Sequence, residues 1–191
     1  MEHFSIFPTL MQETRLDLDL DSLREFCYEI KRKNKDGVKL SNIGGWHSDD
    51  VISETHGEFL KLKSYIEESA NRYHKEIEFS NDTIQMLENI WININQKGNA
   101  NEWHVHQNAA LSGAFYINVT SPIVFEHPYQ HITPFYWNKN NVQNWNVYNS
   151  ETWWKEAVEN SLYIFPSWLN HLVGPNKNKT EERISISFNT N

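Results

Sequence analysis

The chain has 191 residues, 39% hydrophobic and 22% charged, which is apolar mass enough for one core and too little charge bias for a disordered chain. A formal net charge of -8 argues against a broad nucleic-acid surface, because phosphate contacts need clustered Lys and Arg. One cysteine, Cys27, excludes an intramolecular disulfide and any multi-cysteine metal site. No apolar run approaches the roughly 20 residues that cross a bilayer, and Met1-Glu2-His3-Phe4-Ser5 lacks a signal-peptide start. A soluble, cytoplasmic protein without a membrane partner is therefore expected.

In chain order, Asp21 can cap a first helix in which Leu23, Phe26, Cys27 and Ile30 recur at helical spacing, ending near Lys31-Arg32-Lys33. Cys27 reads as a small buried apolar residue of that helix. Residues 34–45 are loop-like, with turn signals at Asp36-Gly37 and Gly44-Gly45. A second helix is predicted from Ser53 or Thr55 to Tyr73, with the stripe Phe59, Leu62, Ile66, Ala70 and Tyr73. From Thr83 to Asn95 the period becomes two: Ile90, Ile92 and Ile94 alternate with Trp91, Asn93 and Asn95. After a turn at Lys97-Gly98-Asn99, strands are predicted at Trp103–His106, Leu111–Val119, Ile123–Glu126, His131–Trp137, Leu162–Phe165, His171–Val173 and Arg183–Phe188. Helices followed by about eight short strands suggest helices packed on a β-sandwich or jelly roll. Residues 127–161 are rich in Trp, Tyr, Phe and Asn and long for a connection, so they read as a lid, a binding loop or a cover for the core.

The chemistry concentrates at His104-Val105-His106. On a strand, residues i and i+2 share a face, roughly 6.5 to 7 Å apart at about 3.3 Å rise per residue, so two imidazoles can converge on one metal. His171, after the Pro166 turn, is the candidate third ligand. Arg183, Ser185 and Ser187 share one face of the last strand, and Ile184, Ile186 and Phe188 the other. A guanidinium inside a barrel calls for an anion, and Arg matches a carboxylate in a bidentate way. Elsewhere, His56-Gly57-Glu58 and His74-Lys75-Glu76 fall on the second helix, where i and i+2 diverge. His47-Ser48-Asp49 is placed in a loop, and His127 and His131 in the aromatic segment.

His104-Val105-His106, Leu111-Ser112-Gly113-Ala114-Phe115-Tyr116, Phe165-Pro166-Ser167-Trp168-Leu169-Asn170-His171 and Arg183-Ile184-Ser185 together resemble the Fe(II)/2-oxoglutarate-dependent oxygenase superfamily. More closely, with Ser41-Asn42-Ile43-Gly44-Gly45-Trp46-His47-Ser48, they resemble an oxygenase family of marine bacteria and their phages. If the chain is viral, its location is the host cytoplasm. The resemblance implies a mainly β fold with N-terminal helices, a double-stranded β-helix (a jelly-roll, cupin-like barrel). It implies one oxygenase-like domain over 1–191, with a helical N-terminal region over residues 1–80, a jelly-roll core over 81–191 and the aromatic insertion 127–161. It further implies Fe(II) at the barrel mouth, with His171 as distal ligand and 2-oxoglutarate as co-substrate. Arg183 and Ser185 match the pair that binds its far carboxylate, and Tyr116 sits where prolyl-hydroxylase-like members place a Tyr that reaches the same group.

The superfamily pattern is His-x-Asp or His-x-Glu. Here His106 replaces the carboxylate if His104 comes first, giving a three-His site. If His106 comes first, Asn108 holds the carboxylate position and the site is two-His; Glu102 or Glu126 are other sources of a carboxylate. The implied activity is hydroxylation of an unactivated C–H bond coupled to oxidative decarboxylation of 2-oxoglutarate to succinate and CO₂. Two rivals stay open: a 2-oxoglutarate-independent three-His cupin-like metalloenzyme, and a non-catalytic jelly-roll binding protein. The expected partners are a small-molecule co-substrate and an unidentified substrate, with exposed Trp residues as candidates for a homodimer interface.

Overall fold

Helix α1 (Leu20–Lys33) is capped by Asp19, whose carboxylate accepts from the Asp21 and Ser22 amides at 3.1 and 3.0 Å. The cap thus falls two residues before the expected Asp21, which brings Leu20 into the helix and against the core. Lys31, Arg32 and Lys33 occupy its last turn, where cations meet the negative end of the helix dipole. Helix α2 (Gly57–Glu76) starts later than the sequence suggests. The preceding segment is tied down instead: Asp50 Oδ1 accepts from the Ile52 and Ile90 amides, and the Glu54 amide donates to the Val51 carbonyl. The predicted stripe holds, with Phe59, Leu62, Ile66, Ala70 and Tyr73 all buried.

This computed structural model describes residues 1–80, 82–119, 121–129, 139–178 and 181–191. Its strands are β1 (Gln12–Arg15), β2 (Asn42–Ile43), β3 (Trp46–His47), β4 (Leu87–Asn95), β5 (Ala100–His104), β6 (Leu111–Asn118), β7 (Ile123–Glu126), β8 (Thr152–Lys155), β9 (Ser161–Pro166), β10 (His171–Val173) and β11 (Arg183–Thr190). A six-stranded sheet runs β1-β9-β6-β11-β4-β3, and a five-stranded sheet runs β2-β5-β10-β7-β8. Every pairing is antiparallel. This is the expected double-stranded β-helix with N-terminal helices.

β7 and β10 match their predicted bounds. β4 begins at Leu87 rather than Thr83, β6 ends one residue early, and β9 and β11 run further than expected. β5 is displaced to Ala100–His104, so His106 lies beyond its end. β1, β2, β3 and β8 were not expected: β1 is an all-polar edge strand, β2 and β3 have two residues each, and β8 is exposed throughout. None carries an alternating apolar signal. The predicted strand His131–Trp137 lies outside the described residues.

Two apolar clusters hold these layers. The larger joins the buried faces of α1 and α2 to Ile90, Ile92, Ile94, Phe115, Ile117, Leu162, Ile164, Ile184, Ile186 and Phe188 on the outer face of the six-stranded sheet. Cys27 sits in it, fully buried, and burial pushes its thiol well above the ordinary range. The smaller joins Ala114, Tyr116, Tyr163 and Phe165 of that sheet to Ile123 and Phe125 of the other, closing one end of the barrel interior. The rest of the interior is open.

Candidate metal centre

His104 and His171 face each other directly across the β5–β10 ladder. His106 follows two residues later, outside the strand, its amide donating to the Ser167 carbonyl at 3.0 Å. That turn still brings the ring back: centroid separations are 4.3 Å for His104–His171, 5.0 Å for His104–His106 and 5.2 Å for His106–His171. One donor nitrogen from each lies within 4.8 Å of the others.

Two rings have their tautomer set by the backbone. His104 Nδ1 donates to the Glu102 carbonyl at 2.6 Å, and His171 Nδ1 to the Leu169 carbonyl at 2.9 Å. A carbonyl only accepts, so the neutral rings keep their lone pairs on Nε2. Burial favours the neutral form of all three. It lowers His104, lowers His106 to about 4 with help from His104 and His47, and lowers His171 to about 3 with help from His104. Neutral imidazoles with oriented Nε2 atoms are the donor set a divalent transition metal takes, so these residues fit an iron site.

The alternative carboxylates are elsewhere. Glu102 contributes its carbonyl and is itself exposed, and the Glu126 carboxylate accepts from Asn170 Nδ2 at 2.6 Å. Asn108 is exposed in a left-handed turn at φ 64°. Among the described residues the ligand-competent cluster is three imidazoles with no acid.

His47 is not in a loop, as its sequence context suggests, but on β3. It is buried, donates from Nδ1 to the Ser48 carbonyl at 2.7 Å, and stacks on Trp91 at 5.7 Å. Trp91 stacks in turn on His106 at 5.4 Å, so the third imidazole is buttressed by a two-ring stack. His56 stands at the N-cap position of α2 without a side-chain capping bond and stacks on Phe26, His74 packs on Phe79, and His127 Nδ1 accepts from the Tyr129 amide. His131 lies outside the described residues.

The three imidazoles line a cavity of about 660 Å³ inside the barrel. Arg183, Ser185, Ser187 and Asn189 enter it from one face of β11, while Ile184, Ile186 and Phe188 of the other face belong to the helix–sheet core. Tyr116 pairs with Ser185 in the β6–β11 register, packs edge-on against Tyr163, and stays protonated because burial pushes its phenol up. Arg183 is 2% exposed. Its guanidinium donates to the Gly174 carbonyl and to Asn101 Oδ1, each at 3.0 Å. Burial pulls it down to about 10, leaving it cationic at neutral pH, and no carboxylate pairs with it among the described residues. The predicted site residues therefore share one cavity. None of the described residues of 127–161 lines it, although Tyr129, Trp145, Tyr148, Trp153 and Trp154 are exposed.

The family described as "Putative 2OG-Fe(II) oxygenase" matches residues 89–189, more than half of the chain, and that span holds every residue of the cluster. The chain belongs to this oxygenase family. Fe(II) and 2-oxoglutarate are the family's cofactor and co-substrate, and the three-His cluster supplies a place for the metal. Solved oxygenases share the fold. A Pseudomonas putida prolyl-4-hydroxylase has 13% identity and a TM-score of 0.59 over 95% of this chain and 92% of its own. The non-heme alpha-ketoglutarate-dependent carbocyclase SnoK of nogalamycin biosynthesis has 10% identity and a TM-score of 0.68 over 95% and 79%. The viral collagen prolyl hydroxylase of Paramecium bursaria Chlorella virus-1, solved with 2OG, has 8% identity and a TM-score of 0.57 over 94% of each chain. No curated protein matches the sequence. No helix among the described residues is long and apolar enough to cross a membrane.

Sequence reasoning missed His47, Trp91, Asn93 and Asn101 as cavity residues. A signal for two of them was present: Trp91 and Asn93 alternate with three isoleucines, and a strand whose apolar face is fully used turns its other face into the barrel.

Proposed function

We propose that this oxygenase is a 2-oxoglutarate-dependent dioxygenase that hydroxylates a C–H bond, with His104, His106 and His171 holding Fe(II). In this reading residues 1–191 form one oxygenase domain. Arg183 and Ser185 take the far carboxylate of 2-oxoglutarate, with Tyr116 beside them. The observation that carries this is Arg183: a buried cation with only neutral partners, in the same cavity as the imidazoles. A buried charge left uncompensated costs several kcal/mol, on the order of the gain from pairing it, so the site is built for an anion.

Bound iron would supply activation of dioxygen for attack on an unreactive C–H bond. The chain's own residues do the rest. Arg183 neutralises and orients the carboxylate. The Ser185 and protonated Tyr116 hydroxyls can donate to it, and Ile123, Phe165 and Val173 keep water from that end. The Glu102 and Leu169 carbonyls hold two imidazoles with Nε2 forward, and the His47–Trp91 stack holds the third. In this reading no general base is needed.

Anaerobic titration of the Fe(II)-loaded protein with 2-oxoglutarate tests the reading. The expected result is a saturable visible charge-transfer absorption. A well-folded, iron-loaded sample without it overturns the proposal. The neutral donor set is the one feature that favours a second reading, a three-His metalloenzyme that needs no 2-oxoglutarate; turnover by Arg183→Ala without that compound would support it.

A further inference from the structure

The cavity is electrically lopsided. β11 sets a ruler: Arg183 pairs with Asn95, Ser187 with Trp91 and Asn189 with Asn89. The chain after β3 runs along the same edge of β4, with the Ser48 amide on the Ile92 carbonyl and the Val51 amide on the Ile90 carbonyl. Ile92 and Ile90 pair with Ile186 and Phe188, so Asp49 and Asp50 are level with that stretch of β11, roughly 10 to 17 Å along the sheet from Arg183 at about 3.3 Å per residue. Both residues line the cavity and both are exposed. Each has spent one oxygen on the fold, Asp49 Oδ2 on Asn34 and Asp50 Oδ1 on two backbone amides. Neither forms an ion pair with a cation among the described residues, whereas Glu13, Glu25, Glu29, Glu58, Glu68 and Asp21 all do.

Two buried acceptors lie between these ends, His47 and Asn93 both being level with Ser185. His47 is 6% exposed, its Nδ1 is committed to Ser48, and its Nε2 is left as an acceptor on the cavity side. Asn93, also 6% exposed, donates to Ser187 at 3.1 Å and keeps its carbonyl oxygen for the cavity. The face of Trp91 lies between these groups and His106. Val38 and Val105 add apolar wall.

With the co-substrate at the Arg183 end, on which this rests, the opposite end is left for the substrate. We propose that the substrate is an aliphatic primary amine, free or as a lysyl side chain, whose ammonium is taken by Asp49 and Asp50 and whose stem lies along Trp91. An ammonium has donors only and no acceptor, which suits a wall of carboxylates, an imidazole nitrogen and an amide oxygen. An alkyl stem suits the rim of the indole that the His47 and His106 stacks leave, together with the valines. A carboxylate-bearing substrate would meet like charge here.

The test is calorimetric binding to the full chain, with metal and 2-oxoglutarate both left out. The probes are Nα-acetyl-lysine amide and Nα-acetyl-norleucine amide, which differ by the terminal ammonium alone. The lysine compound should bind about tenfold tighter or better at low salt, and Asp49→Asn with Asp50→Asn should reduce that preference to about twofold or less. Equal binding of the two probes, or a preference that survives the double substitution, overturns the proposal. Should the double variant fold poorly, raising salt from about 50 to about 500 mM on the wild type serves instead: the lysine compound should weaken and the norleucine compound should not, and a preference indifferent to salt overturns the proposal. Because the assay contains no 2-oxoglutarate, its failure is separate from any failure of the Arg183 assignment.

Discussion

Arg183→Met removes the buried charge while keeping most of the side-chain volume. If Arg183 receives the far carboxylate of 2-oxoglutarate, the substitution leaves a desolvated anion without its partner, at a cost of about 2 to 5 kcal/mol. That corresponds to a loss of affinity of about 30-fold to several thousand-fold. Stability should move differently. The guanidinium has two hydrogen bonds to neutral acceptors, each at 3.0 Å, together worth a few kcal/mol at about 1.5 to 3 each. Against them stands a desolvation penalty of several kcal/mol for an ion without a counter-ion. Asn101 Oδ1 keeps a second donor, Asn95 Nδ2 at 3.1 Å, so only the Gly174 carbonyl loses its partner outright. The two sides nearly cancel, and the melting midpoint of the ligand-free variant should stay within about 4 °C of the wild type. The assay is calorimetry with 2-oxoglutarate beside a thermal melt of the same sample. A variant that binds within about threefold of the wild type refutes the assignment. One that loses the fold as well as the ligand refutes the argument that this charge is held for a ligand.

Other substitutions test other links. His171→Ala should drop bound iron from one per chain to a small fraction, measured by metal analysis after gel filtration. The loss in affinity should exceed the roughly 10- to 100-fold typical of outer-shell changes, with the fold retained. Gly113→Ala should destabilise by about 1 to 3 kcal/mol in urea denaturation, because a Cβ there would lie 2.1 Å from the Tyr163 carbonyl oxygen across the β6–β9 ladder; an unchanged midpoint would show that these two strands can shift apart at no cost. Acid should weaken the metal-free protein. His106 and His171 titrate near 4 and 3 when folded and near 6.5 when unfolded, so between pH 6.5 and 4 the unfolded chain takes protons that the folded rings refuse. Stability then falls as pH falls through that window, and a flat midpoint from pH 7 to 4 would contradict the burial argument.

Much of this site is legible in the sequence because its residues sit on strands with a two-residue period. Arg183, Ser185 and Ser187 alternate with Ile184, Ile186 and Phe188, and the structure separates them onto cavity and core as the alternation requires. The convergence of His171 on His104 was reachable through the likeness of the whole pattern, since a contact across 67 residues leaves no local trace. His106 shows where the strand argument fails: β5 ends at His104, and a turn held by the Ser167 carbonyl returns the second imidazole. The choice between a three-His set and one with Asn108, Glu102 or Glu126 depended on side-chain direction, which spacing does not encode. Asn101 was missed because β5 starts at Ala100, ahead of the expected Trp103, and His47 was invisible for a related reason. β2 and β3 have two residues each, too few for any period, yet β3 puts His47 beside Trp91. The edge strands β1 and β8 escaped because polar or uniformly exposed residues form them, and backbone pairing with β9 and β7 is what makes them strands.

Placing the main apolar cluster outside the barrel, between two helices and one sheet, has a consequence for how this chain can change. Most small barrels must fill their lumen to stand. Here the scaffold is braced from behind, so the hollow can be re-lined residue by residue while Phe59, Leu62, Ile92 and Ile186 go on supporting the wall. New chemistry can be tried inside at little risk to the architecture, and the helices are the elements that cannot be spared.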